Sequence, residues 1–327
     1  MHRAAPVTGP AASVVVATRD RPVRLRWLLN ALADQATGER IEVIVAHDSR
    51  GPETERLLRT HPLRDEGRLS HLTFPAHTQQ AAAKRDAGWR AASAPLILFT
   101  DDDCRPSADW VARAIAAAQA HPGAVLQGRT AADPDEAAVL RGAPWAQSQT
   151  VEPPTVWAET CNIAYPRALL ERVGGFDPRL AVGEDTDLAL RARAQGAAQV
   201  PVPGMLVYHA VHAPWLPARL RSLRRWQDMP AVVKRHPVLR RSVYARVFWK
   251  REHAALCAAA LAPMLIRRSE LAWGLALPWL ALSLGHRGAS ARGIARSISE
   301  LPGRVAIDVL ETAELVCGSA RHRTLLV

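Results

Sequence analysis

Three consecutive carboxylates, Asp101, Asp102 and Asp103, stand directly after the apolar run LILFT (96–100). Like charges this close oppose one another's ionisation unless something positive sits among them. A divalent cation, a cluster of arginines or water at an exposed turn would each answer that need. A second acidic pair, Glu184 and Asp185, follows Gly183 at the start of a helical pattern. Acids in a first helical turn complement the helix dipole. A carboxylate there is also suited to take a proton, provided the donor comes within hydrogen-bond reach. His209 and His212 follow a third apolar run, and Asp48 ends a fourth. Carboxylate oxygens of this kind hold hard cations, which neutralise phosphate oxygens.

These residues need elements to present them. SVVVATRD (13–20) is a continuous β-branched run, right for a strand buried on both faces. RPVRLRWLLNAL (21–32) then carries Leu25, Leu28, Leu29 and Leu32 at helical spacing, with Pro22 near its start. IEVIVAHDS (41–49), LSHLTFP (69–75) and PLILFT (95–100) read as further strands. GPETERLLRTH (51–61), TQQAAAKRDAGWRAAS (78–93) and SADWVARAIAAAQA (107–120) read as helices. This alternation predicts an α/β fold, a mostly parallel sheet with helices on both faces. Ligands in such sheets bind at the carboxyl ends of the strands, where Asp48 and Asp101–Asp103 stand.

The chain has 327 residues, 48% of them hydrophobic, and a formal net charge of +11. That charge favours acidic partners such as nucleotide phosphates or anionic lipid. No GxGxxG follows the first strand and no GxxxxGK[ST] occurs anywhere, which argues against a dinucleotide dehydrogenase or a P-loop NTPase. No helix-turn-helix, zinc-finger or RNA-binding aromatic pattern supports nucleic acid as a partner. Cys104, Cys161, Cys257 and Cys317 have neither zinc-knuckle nor CxxC spacing and read as reduced thiols of a cytoplasmic chain. Residues 1–12 carry no signal-peptide pattern and are expected to form a disordered lead.

SVVVATRDRP, VIVAHDS, AKRDAGW, LILFTDDDCRP and GGFDPRLAVGEDTDLALRARAQG occur in this order. Together they resemble the family 2 glycosyltransferases of the GT-A fold, over roughly residues 13–212. The resemblance implies a metal-dependent enzyme that moves a sugar from a nucleotide diphosphate sugar to an acceptor hydroxyl with inversion. It implies that Asp101 and Asp103 bind Mg or Mn beside the donor diphosphate, with Asp102 alongside. His209 is the expected third metal ligand, and His212 the fallback. Thr18, Arg21 and Asp48 are expected to face the nucleotide. Arg85 is expected to meet phosphate or to order the aspartates. In the acidic pair, the resemblance makes Asp185 the general base and gives Glu184 a part in holding the acceptor. This sequence has HDS at 47–49 where the family more often shows DDGS, so the nucleotide base stays open.

A catalytic domain over 13–213 is thus expected, followed by a helical region over 214–327. Between Arg219 and Arg251 there are eleven Lys or Arg residues and a single acid, Asp228. LRSLRRWQDMPAVVKRHP (220–237) reads as one basic amphipathic helix. Its RRW resembles part of the QxxRW motif of processive members, but Ser222 holds the glutamine position, so processivity does not follow. The apolar stretches 254–266 and 271–284 are each shorter than the ~20 residues of a spanning helix. The tail, 301–327, reads as a further amphipathic helix. With Trp249, Trp273 and Trp279, the basic and apolar segments fit the cytoplasmic face of a membrane. A helical cap burying the same residues is the alternative. The acceptor is then a lipid-linked or envelope glycan, or else a small molecule. The rival from another class is a non-catalytic, basic, membrane-associated nucleotide-binding protein.

Overall fold

A computed structural model of the chain describes residues 9–265 and 269–327. Most of the expected lead over 1–12 lies outside the described residues, as does the 266–268 junction after the first apolar stretch. Ala12 is already paired in the first strand. The chain forms two compact units: residues up to Gly142 with Ala146–His212, and Ala143–Trp145 with Ala213–Val327.

The first unit opens with β1 (Ala12–Thr18), α1 (Pro22–Ala33), β2 (Ile41–His47), α2 (Pro52–Thr60), α3 (Pro62–Asp65), β3 (Leu69–Thr73), α4 (Ala81–Ala91) and β4 (Leu96–Asp101). It continues with β5 (Cys104–Pro106), α5 (Trp110–Ala120), β6 (Val125–Ala132), α6 (Ala137–Gly142), β7 (Asn162–Pro166), α7 (Arg167–Val173), α8 (Glu184–Ala194) and β8 (Gln199–His209). The eight strands form one sheet in the order β3-β2-β1-β4-β7-β6-β8-β5. The expected α/β alternation holds from β1 to β4, whose pairings are all parallel. Beyond β4 the sheet is mixed. β7 runs antiparallel to both neighbours, and β5 antiparallel to β8.

The continuous apolar runs arise because the central strands feed two cores. Val14, Val16 and Leu98 join one core, with Leu25, Leu28, Leu29 and Leu32 of α1 and Trp110 of α5. Val15, Ile97 and Phe99 point the other way, onto Trp89 of α4, Leu169 and Leu170 of α7 and Leu188 of α8. Each such side chain contributes about 1.5–3 kcal/mol on full burial. Helix α4 lies close enough to β1 that a Cβ at Gly88 would sit 2.5 Å from Val15 Cγ1. Only glycine permits that approach, and it brings the first turn of α4, with Lys84 and Arg85, to the strand ends.

The second unit comprises α9 (Leu216–Ser222), α10 (Met229–Arg235), α11 (Arg251–Leu265), α12 (Leu277–Gly285) and the 32-residue α13 (Ala291–His322), with 3₁₀ turns between. The single basic helix expected over 220–237 is divided. Residues 223–228 tighten into a 3₁₀ turn, and Pro230, which lacks an N–H, sits in the first turn of α10. Buried acids on α13 find partners in this unit: Glu300 meets Arg287 and Arg296, Glu311 meets Lys250, and Asp308 accepts from Trp279 Nε1. Trp279 is therefore buried, and Trp249 packs on Trp226, leaving Trp273 as the exposed member of the expected tryptophan trio. Among the described residues no helix is long and apolar enough to cross a membrane.

Candidate active site

Register brings the acidic residues together. Thr18 of β1 pairs with His47 of β2, and Ala17 with Asp101 of β4, so Asp48 and Asp101–Asp103 leave the sheet at one edge of its parallel half. Asp48 is wholly buried and fully engaged. It accepts from Arg19 Nε at 2.9 Å and Nη2 at 2.5 Å, from Lys84 Nζ at 2.6 Å and from the Gln79 N–H at 3.0 Å. Burial works to raise its pKa, but these donors outweigh it and hold the carboxyl well below the usual range. The Asp48 oxygens expected at the nucleotide are thus spent on protein, and Arg19 is the partly exposed group above them.

The three consecutive acids have three different surroundings. Asp101 takes a 2.6 Å hydrogen bond from Arg85 Nη2, and Arg85 Nη1 reaches Glu184 Oε1 at 2.7 Å. One buried guanidinium therefore joins the end of β4 to the start of α8. Asp102 accepts from the buried Thr18 hydroxyl at 2.6 Å and from Arg21 Nη1 at 3.2 Å. Burial, then the adjacent Asp103 charge, push Asp102 up to about 6. Thr18 thus positions an aspartate. Arg21, about half exposed, also reaches Asp103 Oδ2 at 2.8 Å.

Asp103 is the centre of a candidate metal group. The antiparallel pairing of β5 with β8 sets Cys104 opposite His209, and the Ala210 N–H bonds the Asp103 carbonyl. His209 Nε2 lies 3.5 Å from Asp103 Oδ1, and His212 Nε2 lies 2.7 Å from Oδ2. One ligand atom from each of Asp103, His209 and His212 falls within 4.8 Å of the others. His209 Nδ1 lies 2.9 Å from the Ala210 carbonyl, which turns the ring so that Nε2 is directed at Asp103. Asp103 Oδ1 is buried with no hydrogen-bond partner. Burial raises Asp103, but His212, His209 and Arg21 hold it well below the ordinary carboxylate range. An ionised carboxylate with one donor-free oxygen, flanked by an imidazole at each oxygen, fits a divalent cation. Asp101 stands outside this group, against Arg85.

Gly183 caps α8 from the left-handed region, φ 70°, which a side chain would strain. The turn puts Glu184 on Arg85 and leaves Asp185 half-buried, with its Oδ1 2.8 Å from the Thr186 N–H. Burial first, and then the charges of Glu184 and Glu159, push Asp185 up to about 8. The Thr186 hydroxyl binds the Trp157 carbonyl at 2.8 Å, fixing the 155–160 segment against this helix. Arg19 and Lys84 are site residues that the sequence reading missed. Neither carried a signal in the sequence, since both look like solvated charges there.

Comparison with known proteins places the strand-end half of the chain in a family. Residues 13–173 match glycosyl transferase family 2. Validoxylamine A glucosyltransferase of Streptomyces hygroscopicus subsp. jinggangensis is 28% identical over 73% of this chain and 63% of its own length. The O-antigen biosynthesis protein RfbC of Myxococcus xanthus is 30% identical over 58% of this chain and 16% of its own. The chain thus spans about three fifths of the glucosyltransferase. Among solved structures, the mannosyltransferase PcManGT of Pyrobaculum calidifontis, in complex with GDP-Man and Mn2+, matches 97% of this chain and 88% of its own, at TM-score 0.56 and 17% identity. S. aureus TarS 1-349 in complex with UDP-GlcNAc matches 96% of this chain and 92% of its own, at TM-score 0.52 and 17% identity. The shared fold is the GT-A type, and through residues 13–173 the chain belongs to glycosyl transferase family 2.

Proposed function

We propose that the chain is an inverting, metal-dependent glycosyltransferase that uses a nucleotide diphosphate sugar. The observation that carries this reading is the buried Asp103 carboxylate, its Oδ1 without a hydrogen bond and near His209, its Oδ2 on His212. Asp103, His209 and His212 would hold the cation. Two imidazole nitrogens beside one carboxylate suit Mn better than Mg, which prefers an all-oxygen shell. Bound there, the cation would neutralise the diphosphate of the leaving group. Asp101 then serves through Arg85, and Arg21 is placed to turn from the aspartates to phosphate.

Asp185 takes the acceptor proton. The acceptor oxygen attacks the anomeric carbon from the face opposite the diphosphate. The new C–O bond forms as the bond to the diphosphate breaks, and the configuration inverts. A carboxylate pushed up to about 8 is matched to neutral pH as a base. Arg85, shared by Asp101 and Glu184, keeps the two halves of the site in register. Relatives named for glucosyl transfer support a hexosyl donor.

The acceptor we favour is a lipid-linked or envelope glycan at the cytoplasmic membrane face. Support comes from the α11–α12 region, where Leu261, Met264, Leu271, Trp273 and Leu277 are at least half exposed. Exposed apolar side chains so grouped in sequence, in a unit rich in Lys and Arg, suit an anionic bilayer surface. Nucleotide-sugar turnover with Mn, with Mg and in EDTA tests the chemistry. Full turnover in excess EDTA would overturn the metal. Sedimentation with anionic vesicles tests the surface, and a chain left in the supernatant at low salt would exclude it.

A further inference from the structure

Two helices of the second unit, α10 and α13, end against each other, with Lys234 Nζ donating to the His322 carbonyl at 2.9 Å. Beside this contact lies a cavity of about 550 Å³ lined by Ala231, Lys234, Arg235, Arg321, His322 and Arg323. Five of these six side chains are basic, and none of the described residues lining it is acidic. Asp228 Oδ1 lies 3.9 Å from His322 Nε2, and that nitrogen is buried with no hydrogen-bond partner.

Helix C-termini attract cations, and a basic residue or two in the last turn is ordinary. Lys234 already fills that role. Arg323 goes further: it occupies the left-handed cap position, φ 51° and ψ 51°, where glycine or asparagine is usual. Lys234, Arg235, Arg321 and Arg323 are exposed around this open cavity, so water screens their repulsion and their donors face outward, placed to converge on an anion, with Arg323 kept in a backbone conformation that disfavours it.

We propose that this cavity is a binding site for a phosphate ester, the phosphate or diphosphate group of an acceptor or of a lipid headgroup. Phosphate oxygens accept from several N–H donors at once, and the arginine fork suits them. The cavity is of ligand-binding size, with room for more than a lone phosphate. The link to an acceptor rests on the transferase reading above; the site itself rests on the cavity.

The test uses the full chain in EDTA, so that the aspartate site holds no metal, with inorganic pyrophosphate as the soluble probe in calorimetry. Arg321→Gln combined with Arg323→Gln should weaken binding by about tenfold or more, since each lost charge-assisted hydrogen bond is substantial. Arg323→Gly alone should weaken it by roughly threefold without lowering the melting temperature, because glycine is relaxed at this φ. A helix cap with no ligand would show no change in binding. Vesicles of phosphatidic acid in phosphatidylcholine, against phosphatidylcholine alone, form the second arm. Loss of sedimentation in the variants assigns a lipid headgroup. Loss of pyrophosphate binding with vesicle binding unchanged assigns a soluble ester. Wild-type chain that binds neither probe, or variants that bind both as wild type does, would overturn the site. Mn-dependent nucleotide binding, measured on the same variants, should be unaffected, which keeps this outcome separate from the transferase reading.

Discussion

Asp48 and Asp103 are both buried at the ends of the parallel strands, and both are held below the ordinary carboxylate range. They differ in what remains to be bound. Asp48 takes four hydrogen bonds from Arg19, Lys84 and Gln79, and both of its oxygens are engaged. Asp103 has one oxygen on Arg21 and His212, and the other, 3.5 Å from His209 Nε2, takes no hydrogen bond. A closed carboxylate is a counter-ion for buried cations. An open one, kept ionised, has an oxygen left over, and the proposed reading gives that oxygen to an incoming cation. Two similar residues in similar burial thus have different work, decided by whether neighbouring elements supply enough donors.

The sharpest way to test this contrast is to remove the open member. Asp103→Ala should lower transfer on the order of 10³-fold or more, the equivalent of several kcal/mol of lost charge neutralisation. It should also abolish stabilisation by Mn in thermal melts, while leaving the fold in place. Transfer near the wild-type rate would put the metal elsewhere. Asp185 is the other carboxylate with few donors, and Asp185→Asn should cut turnover by about 10²–10⁴-fold with donor binding retained. Wild-type kcat/KM should rise with pH to an inflection near 8, where Asp185 loses its proton, and the variant should lack that limb. A second readout needs no substrate. A carboxyl raised from about 3.9 in the unfolded chain binds more protons when folded, so its contribution to stability falls as pH rises from about 4 to 8. Asp185→Asn should flatten that slope in urea unfolding.

Removing the closed member should act on the fold first. Asp48→Asn leaves Lys84 and Arg19 sharing an uncharged partner in a buried site, a loss of about 3–5 kcal/mol. Its pH signature has the opposite sign to that of Asp185. A depressed carboxyl gives stability that is full above the unfolded value and is lost as pH falls through the folded one. Wild type should therefore lose stability below about pH 4, and the variant should lose less there. Unchanged urea midpoints at neutral pH would show that Asp48 is free for a ligand after all.

Much of this contrast was hidden in the sequence for a physical reason. The apolar runs of β1, β2 and β4 are legible because both faces of each strand are buried, and the acids at their ends follow from that. The resemblance then marked Asp103, Asp185 and His209. What decides their states comes from far along the chain or from the next residue over. His212 meets Asp103 across 109 positions, through an edge pairing of a three-residue strand that no periodicity announces. Arg19 and Lys84 look like solvated charges beside Thr18 and Arg85, and only the approach of α4 to β1 at Gly88 puts Lys84 on Asp48. In the second unit the basic run over 220–237 looks helical by period, yet its 3₁₀ turn and Pro230 divide it.

The smallest expected effect sharpens the comparison most finely, because it concerns the cation already touching the open carboxylate. Arg21 Nη1 bridges Asp102 and Asp103, and its side chain is 48% exposed. If Asp103 is a site for an incoming cation, Arg21 is a stand-in that must yield to it. Arg21→Gln should then raise Mn affinity a few-fold in the absence of donor, by removing a competing positive charge from the same oxygens. The cost to stability should be small, within about 1 kcal/mol, as for other half-exposed pairs. If Arg21 also turns to the diphosphate, the variant's donor affinity falls even as its metal affinity rises. Calorimetry with Mn alone and then with nucleotide diphosphate separates the two. Weaker Mn binding in Arg21→Gln would instead make Arg21 a fixed strut of Asp103, and the open carboxylate would be less open than its unpartnered oxygen suggests.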